Sequence, residues 1–154
     1  MKRSRLIVSG LAAALVFAFG LTGALAASQS ADRTLTVATA NSPLGRILVD
    51  ARGRTLYLFE KDKRSHSACS GYCATYWPPL LTRGTPIAGR SVKGSLLGVT
   101  RRADGTKQVT YAGHPLYRYS GDSRAGQTTG QDLRDFGAGW YVLSPAGKKV
   151  ERDG

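Results

Sequence analysis

One short frame of residues occurs twice in this sequence, sixty positions apart, and it constrains the fold more than any other feature. Four positions of the frame are identical in the two copies and a fifth stays aromatic. Such agreement rarely arises by chance and is expected of a duplicated unit, so we predict two related halves. The copies are Gly53, Leu56, Tyr57, Phe59 and Asp62, and then Gly113, Leu116, Tyr117, Tyr119 and Asp122.

The first copy of the frame contains a run of bulky side chains that favours a β-strand. Tyr57 and Phe59 share one face of that strand, while Leu56 and Leu58 share the other. Because both faces are apolar, we expect the strand to lie inside the fold with other elements packed on each side.

Residues 1–26 have the pattern of a secretory signal peptide. A positively charged start precedes an apolar run over residues 6–21, and a small-residue cleavage pattern ends at Ala26. Cleavage would release a chain that begins with a flexible leader, residues 27–33, and has no transmembrane span. An uncleaved membrane anchor is the alternative, since the apolar run is nearly long enough to cross a bilayer. The site has no cysteine beside it, so we expect no lipid anchor.

The remainder, residues 34–154, is long enough for one compact domain and too short for two independent cores of ordinary size. The two repeats, about residues 34–82 and 95–150, should therefore share one core. Turn signals at residues 104–105 and 112–113 separate short apolar segments, which indicates antiparallel hairpins. The predicted fold class is mainly β and antiparallel, with at most one short helix near the cysteines.

The chain carries a formal net charge of +12 and stays strongly basic once the signal peptide is removed. Such a surface favours anionic cell-envelope material, such as phospholipid headgroups or wall polymers, or an acidic protein partner. The alternative is that the charge serves solubility alone. We expect no nucleic-acid partner, because the basic residues form no single arm and no recognisable reading motif.

Two copies of the pattern Tyr-x-aromatic-x-x-Asp occur at residues 57–62 and 117–122, beside a cysteine-containing segment, residues 69–79, and a Tyr-Ala-Gly-His-Pro-Leu-Tyr segment, residues 111–117. The combination resembles the bacterial secreted-repeat family, also described as predicted lipoproteins with a Yx(FWY)xxD motif. The resemblance covers about residues 35–147 and implies an exported protein with paired repeats and no established activity. The chain departs from the family pattern in having no lipid-attachment cysteine.

Two interpretations of the repeat motif are open. In the structural one, the aromatic residues form a shared core, and each aspartate accepts backbone N–H groups in the turn that follows its strand. In the functional one, both aspartates and both tyrosine hydroxyls surround a pseudo-symmetric site for a cation or a ligand. Aromatic stripes at strand spacing are usually core, which favours the structural interpretation. The motif residues are Tyr57, Phe59, Asp62, Tyr117, Tyr119 and Asp122.

Cys69 and Cys73 are the two cysteines of the chain. In an oxidising compartment such a close pair most often forms a disulfide, which would hold the intervening turn beside Trp77. The alternative is a thiol-redox or copper site, because His66 adds a third ligand nearby and Cu(I) suits sulfur and imidazole ligands. The disulfide interpretation implies no cofactor, and the alternative implies copper.

The sequence offers no recognisable pair of catalytic carboxylates and no nucleophile beside a base. We therefore expect a non-enzymatic binding or structural module of the envelope or the extracellular space. It should be periplasmic or secreted and should not be lipid-anchored. A metal-handling or thiol-redox accessory protein that uses Cys69 and Cys73 is the alternative.

Overall fold

The computed structural model describes residues 36–151. The predicted signal peptide, residues 1–26, and the leader, residues 27–33, lie outside the described residues. Within the described range, no helix has the length and the hydropathy needed to cross a membrane. The elements in chain order are β1 (Val37–Ser42), β2 (Gly45–Asp50), β3 (Tyr57–Phe59), α1 (Tyr72–Tyr76), a 3₁₀-helix (Gly94–Leu96), β4 (Leu97–Arg101), β5 (Lys107–Tyr111), β6 (His114–Pro115), β7 (Arg134–Asp135) and β8 (Ala138–Val142).

The strands pair in three small antiparallel sheets. β1 pairs with β2, β3 with β8 and then β7, and β5 lies between β4 and β6. The prediction of a mainly β, antiparallel fold with one short α-helix near the cysteines is confirmed. α1 ends at Tyr76 because Trp77 precedes Pro78, and a residue before proline is steered away from helical geometry.

Each repeat contributes two segments to the centre of the domain. We call residues 56–59 and 116–119 the motif segments, because they carry the aromatic positions of the repeat motif. We call residues 77–80 and 140–143 the tryptophan segments, because each begins with a tryptophan and ends with a leucine. In both repeats the motif segment comes first and the tryptophan segment follows after an intervening loop.

Each motif segment pairs with the tryptophan segment of the opposite repeat. In the first case Tyr57 of β3 lies opposite Val142 of β8. In the second case the N–H of Leu80 donates to the carbonyl of Leu116 at 2.8 Å. The repeats therefore exchange their final segments, and neither repeat completes its sheet with its own residues.

The two motif segments meet at the same residue of each repeat. The N–H of Tyr57 donates to the carbonyl of Tyr117 at 2.9 Å, and the N–H of Tyr117 donates to the carbonyl of Tyr57 at 3.0 Å. Reciprocal antiparallel pairing of two equivalent residues places a pseudo-two-fold axis between them.

The core lies on both faces of β3. Leu56 and Leu58 belong to one cluster of buried apolar side chains, whereas Tyr57 and Phe59 belong to a second one. This arrangement agrees with the expectation that both faces of the strand are covered. The second cluster also contains both tryptophans and both cysteines, so it holds most of the candidate site residues.

Candidate functional site

Each motif tyrosine bonds to the aspartate of the other motif. The Tyr57 hydroxyl donates to Asp122 Oδ2 at 2.5 Å, and the Tyr117 hydroxyl donates to Asp62 Oδ2 at 2.9 Å. Within each motif, the tyrosine bonds to the aspartate of the other motif across the pseudo-two-fold axis, and not to the aspartate of its own motif. The tyrosine and the aspartate of the motif therefore both serve a contact between the repeats.

The second oxygen of each aspartate closes the loop that follows its motif. Asp62 Oδ1 accepts from the N–H of Ala68 at 2.7 Å. Asp122 Oδ1 accepts from the N–H and the hydroxyl of Thr129, at 2.9 and 2.6 Å. Each aspartate therefore accepts a backbone N–H group from the loop that follows its own motif.

Burial keeps the motif tyrosines protonated. Burial raises the pKa of Tyr57 and of Tyr117, and in each case the partner aspartate raises it further. Burial also raises the pKa of Asp62 to about 6, although a backbone N–H, the Tyr117 hydroxyl and the charge of Arg102 oppose the change. Both tyrosines therefore act as neutral hydrogen-bond donors, and neither supplies a phenolate at neutral pH.

A buried arginine of the second repeat holds the loop after the first motif. Arg102 is 7% exposed and donates to Ser67 Oγ at 2.8 Å, to Gln108 Oε1 at 2.8 Å and to the carbonyl of Cys69 at 2.7 Å. Ser67 Oγ also lies 2.8 Å from the Tyr117 hydroxyl. The sequence gives no signal for this role, because Arg102 is one of 22 basic residues in the chain.

The two tryptophans stack face to face in the same core cluster. The ring centroids of Trp77 and Trp140 are 3.9 Å apart and their planes differ by 5°. Phe59 stacks on Trp140 at 4.0 Å, and Tyr119 lies against Trp77 at 4.4 Å. Phe59 and Tyr119 are therefore packed against the tryptophans, whereas the hydroxyls of Tyr57 and Tyr117 are hydrogen-bonded across the repeats.

Cys69 and Cys73 form a disulfide with their Cα atoms 5.3 Å apart. Cys73 lies in α1 and both residues are buried, so the bond attaches the helix to the core. His66, the third residue of the copper alternative, is exposed, and its Nδ1 lies 3.0 Å from the carbonyl of Arg64. Because both sulfur atoms are in the disulfide, the copper alternative has no thiolate ligand. In residues 36–151, no three His, Cys, Asp or Glu side chains are placed to hold a metal ion.

Three aromatic rings lie close together where α1 contacts the turn between β7 and β8, and we call them the aromatic surface: Tyr72, Tyr76 and the partly buried Phe136. Tyr72 is 70% exposed and Tyr76 is 42% exposed. Their rings are 5.0 Å apart and their hydroxyl oxygens are 2.9 Å apart. The ring of Phe136 lies 6.2 and 6.3 Å from theirs. Lys61 Nζ donates to the carbonyl of Phe136 at 3.2 Å, which places an ammonium group beside this surface.

Phe136 occupies an unusual position for a bulky residue. It lies in the turn between β7 and β8 with a φ of 57°, followed by Gly137 with a φ of 89°. A two-residue hairpin turn with two positive φ angles normally has asparagine, aspartate or glycine at its first position. A phenylalanine there carries backbone strain, which is typically retained where the side chain has a role.

A family model described as "secreted repeat of unknown function" matches the chain twice, over residues 38–81 and 98–144. The chain belongs to this family. The resemblance inferred from the sequence is confirmed. Both matched stretches extend to the end of a tryptophan segment, so the secreted-repeat unit includes the segment that crosses to the other repeat. No curated protein and no solved structure matches the chain significantly.

The structure of this secreted-repeat chain brings the motif tyrosines and aspartates together, and among residues 36–151 it places His66 in no group of three residues that could hold a metal ion. Sequence reasoning missed the aromatic surface. One signal was available, because Tyr72 and Tyr76 are four residues apart in a predicted helical turn and so share a face. No comparable signal connects them to Phe136.

Proposed function

We propose that this secreted-repeat protein is a non-enzymatic module that binds an anionic polysaccharide of the cell envelope. In this proposal residues 1–26 are removed on export, residues 27–33 form a leader, and residues 34–154 act as one domain. The protein then works in the periplasm or outside the cell without a lipid anchor. The aromatic surface is the observation that carries the proposal.

Exposed tyrosines suit a carbohydrate partner for two reasons. Their flat rings stack against the apolar C–H faces of sugar rings, and their hydroxyls exchange hydrogen bonds with sugar hydroxyls at a wet interface. The aromatic surface offers both, since the Tyr72 and Tyr76 hydroxyls lie at the surface 2.9 Å apart. Lys61 adds a positive charge for an acidic group on the same polymer.

The aromatic surface is also held rigidly, which reduces the entropy lost on binding. The Cys69–Cys73 disulfide attaches α1 to the core, and the strained turn at Phe136 sets the third ring. The disulfide would then serve to present Tyr72 and Tyr76 in a fixed arrangement.

The hydrogen bonds of the two motif aspartates also favour a binding role over a catalytic one. Asp62 and Asp122 use both carboxylate oxygens in bonds to the opposite repeat and to their own loops. Groups engaged in this way hold the fold together, and they are poorly placed to act as a general acid or base on a bound substrate.

Retention on isolated cell envelopes and on a purified anionic envelope polysaccharide tests the proposal. We expect retention of the oxidised mature protein to fall steeply as salt rises, because surface charges are screened. The double substitution Tyr72→Ala/Tyr76→Ala should abolish retention. Leu81→Ala is the matched control, because Leu81 is 49% exposed outside the aromatic surface and should bind as the wild type does. Equal retention of the double variant and the wild type would contradict the proposal.

A further inference from the structure

Asp50 is a buried carboxylate that bonds to the side chains of two arginines and to the backbone of a third. It ends β2 and is 4% exposed. Its Oδ1 accepts from the backbone N–H groups of Arg52 and Arg54, at 2.8 and 3.0 Å. Its Oδ2 accepts from Arg54 Nε at 3.2 Å and from Arg118 Nε at 2.7 Å. The first repeat supplies Arg52 and Arg54, and the second repeat supplies Arg118.

One carboxylate does not balance the charge of this group. Three guanidinium groups and one carboxylate leave two positive charges in excess. Burial lowers the pKa of Arg118, and the charges of Arg54 and Arg52 lower it further, against the opposing effect of Asp50. Arg54 and Arg118 both donate to Asp50 Oδ2, so their guanidinium groups lie close enough to repel one another. An anion placed between them would relieve that repulsion.

The arginines keep donors free for such an anion. Arg118 contacts Asp50 through Nε, and Arg54 does so through Nε and one terminal nitrogen. The terminal nitrogens of Arg118 and the guanidinium of Arg52 have no acceptor among residues 36–151. The side chains of Arg54 and Arg118 are 35% and 26% exposed, so solvent reaches part of each side chain.

We propose that Arg52, Arg54 and Arg118 form a binding site for a phosphate group. The planar fork of arginine matches phosphate oxygens in a bidentate arrangement, and several phosphate oxygens can be shared among three forks. Asp50 holds two of the forks in place before the ligand arrives, which lowers the entropy lost on binding. The inference rests on the proposed function, because it identifies phosphate as the acidic group of the envelope material that the protein recognises.

Inorganic phosphate is the first probe, with the oxidised mature protein and with chloride at equal ionic strength as the reference. A ligand that binds the folded state raises its stability, so phosphate should raise the urea midpoint of the wild type. Arg52→Gln is the key variant, because the Arg52 side chain has no acceptor to lose among the described residues. Arg118→Lys keeps the charge and removes the fork. We expect each to weaken phosphate binding at least about tenfold.

Arg83→Gln is the charge-matched control, since Arg83 is exposed on the segment between the repeats and should bind phosphate as the wild type does. Two further probes separate the sources of phosphate: vesicles of phosphatidylglycerol in phosphatidylcholine, and soluble poly(glycerol phosphate). Arginine-dependent binding to the vesicles indicates a lipid headgroup, and arginine-dependent binding to the polymer indicates a wall polymer. Either result supports the site.

The inference and the proposed function fail in different ways. If phosphate leaves the wild type unchanged, or if Arg52→Gln and Arg118→Lys bind it as the wild type does, the phosphate site is wrong. Tyrosine-dependent retention on envelopes would still support the proposed function in that case. If phosphate binds through the arginines while the wild type is not retained on envelopes, the site stands and the proposed function is wrong.

Discussion

Removal of the Tyr57 hydroxyl isolates the contact that joins the two repeats. The side chain is fully buried, and its hydroxyl donates to Asp122 Oδ2 at 2.5 Å and accepts from the N–H of Gly130 at 3.3 Å. Loss of a hydrogen bond to a charged group costs about 1.5–3 kcal/mol, and a buried donor left without an acceptor costs about 1–3 kcal/mol. We therefore expect Tyr57→Phe to lower the free energy of unfolding by about 3 kcal/mol.

A double-mutant cycle identifies the partner of this hydroxyl. Tyr57→Phe combined with Asp122→Asn should show an interaction energy of about 1 kcal/mol or more, because the two groups are bonded. Tyr57→Phe combined with Asp62→Asn, the aspartate of its own motif, should be additive within about 0.5 kcal/mol. Urea unfolding of the oxidised protein, followed by far-ultraviolet circular dichroism, measures all the variants.

Tyr76→Phe is the control for this cycle. It removes an exposed hydroxyl that bonds to another exposed hydroxyl, so stability should change by less than about 0.5 kcal/mol. The reasoning is refuted if Tyr57 couples to Asp62 and not to Asp122. It is also refuted if Tyr57→Phe is as stable as the control.

Three further predictions concern other parts of the same core. Burial raises the pKa of Asp62 to about 6, so the folded chain binds this proton more tightly than the unfolded chain does. The free energy of unfolding should therefore fall as pH rises from about 4 to 6. Asp62→Asn should remove that dependence on pH, and an NMR titration of the carboxyl group should find the raised pKa of Asp62. The stacked Trp77 and Trp140 should give an exciton couplet in circular dichroism, and phenylalanine at either position should abolish it while the urea transition stays cooperative. Reduction of the Cys69–Cys73 disulfide should lower the free energy of unfolding by about 2 kcal/mol, because the closed loop is short, and a shift of the urea midpoint measures the change.

The duplicated frame was sufficient to predict a shared β core and two related halves. The apolar side chains on either side of Tyr57 indicate that both faces of the strand are buried, since that depends on neighbouring residues alone. They do not indicate which strand lies alongside. The hydrogen bond between Tyr57 and Asp122 spans 65 positions, and the exchange of tryptophan segments has no local signal.

The proposed binding surfaces were harder to predict from the sequence, because they too depend on contacts between distant positions of the chain. Phe136 joins the tyrosines of α1 only because the hairpin of β7 and β8 folds back beside that helix. Arg118 meets Asp50 across 68 positions of sequence. In a chain with many basic residues, only the folded arrangement distinguishes an arginine that belongs to a cluster from one that serves solubility.

The exchange of the tryptophan segments has a consequence for the ancestry of the protein. A single repeat on its own has no second motif segment with which its last strand could pair. Such a unit could complete its sheet with another copy of itself, in a two-fold homodimer whose axis passes between one tyrosine of each chain. Fusion of two such copies would turn the dimer interface into the core of one chain. The two halves of one chain, unlike two copies in a homodimer, need not be identical, and here the first repeat alone carries the cysteine pair.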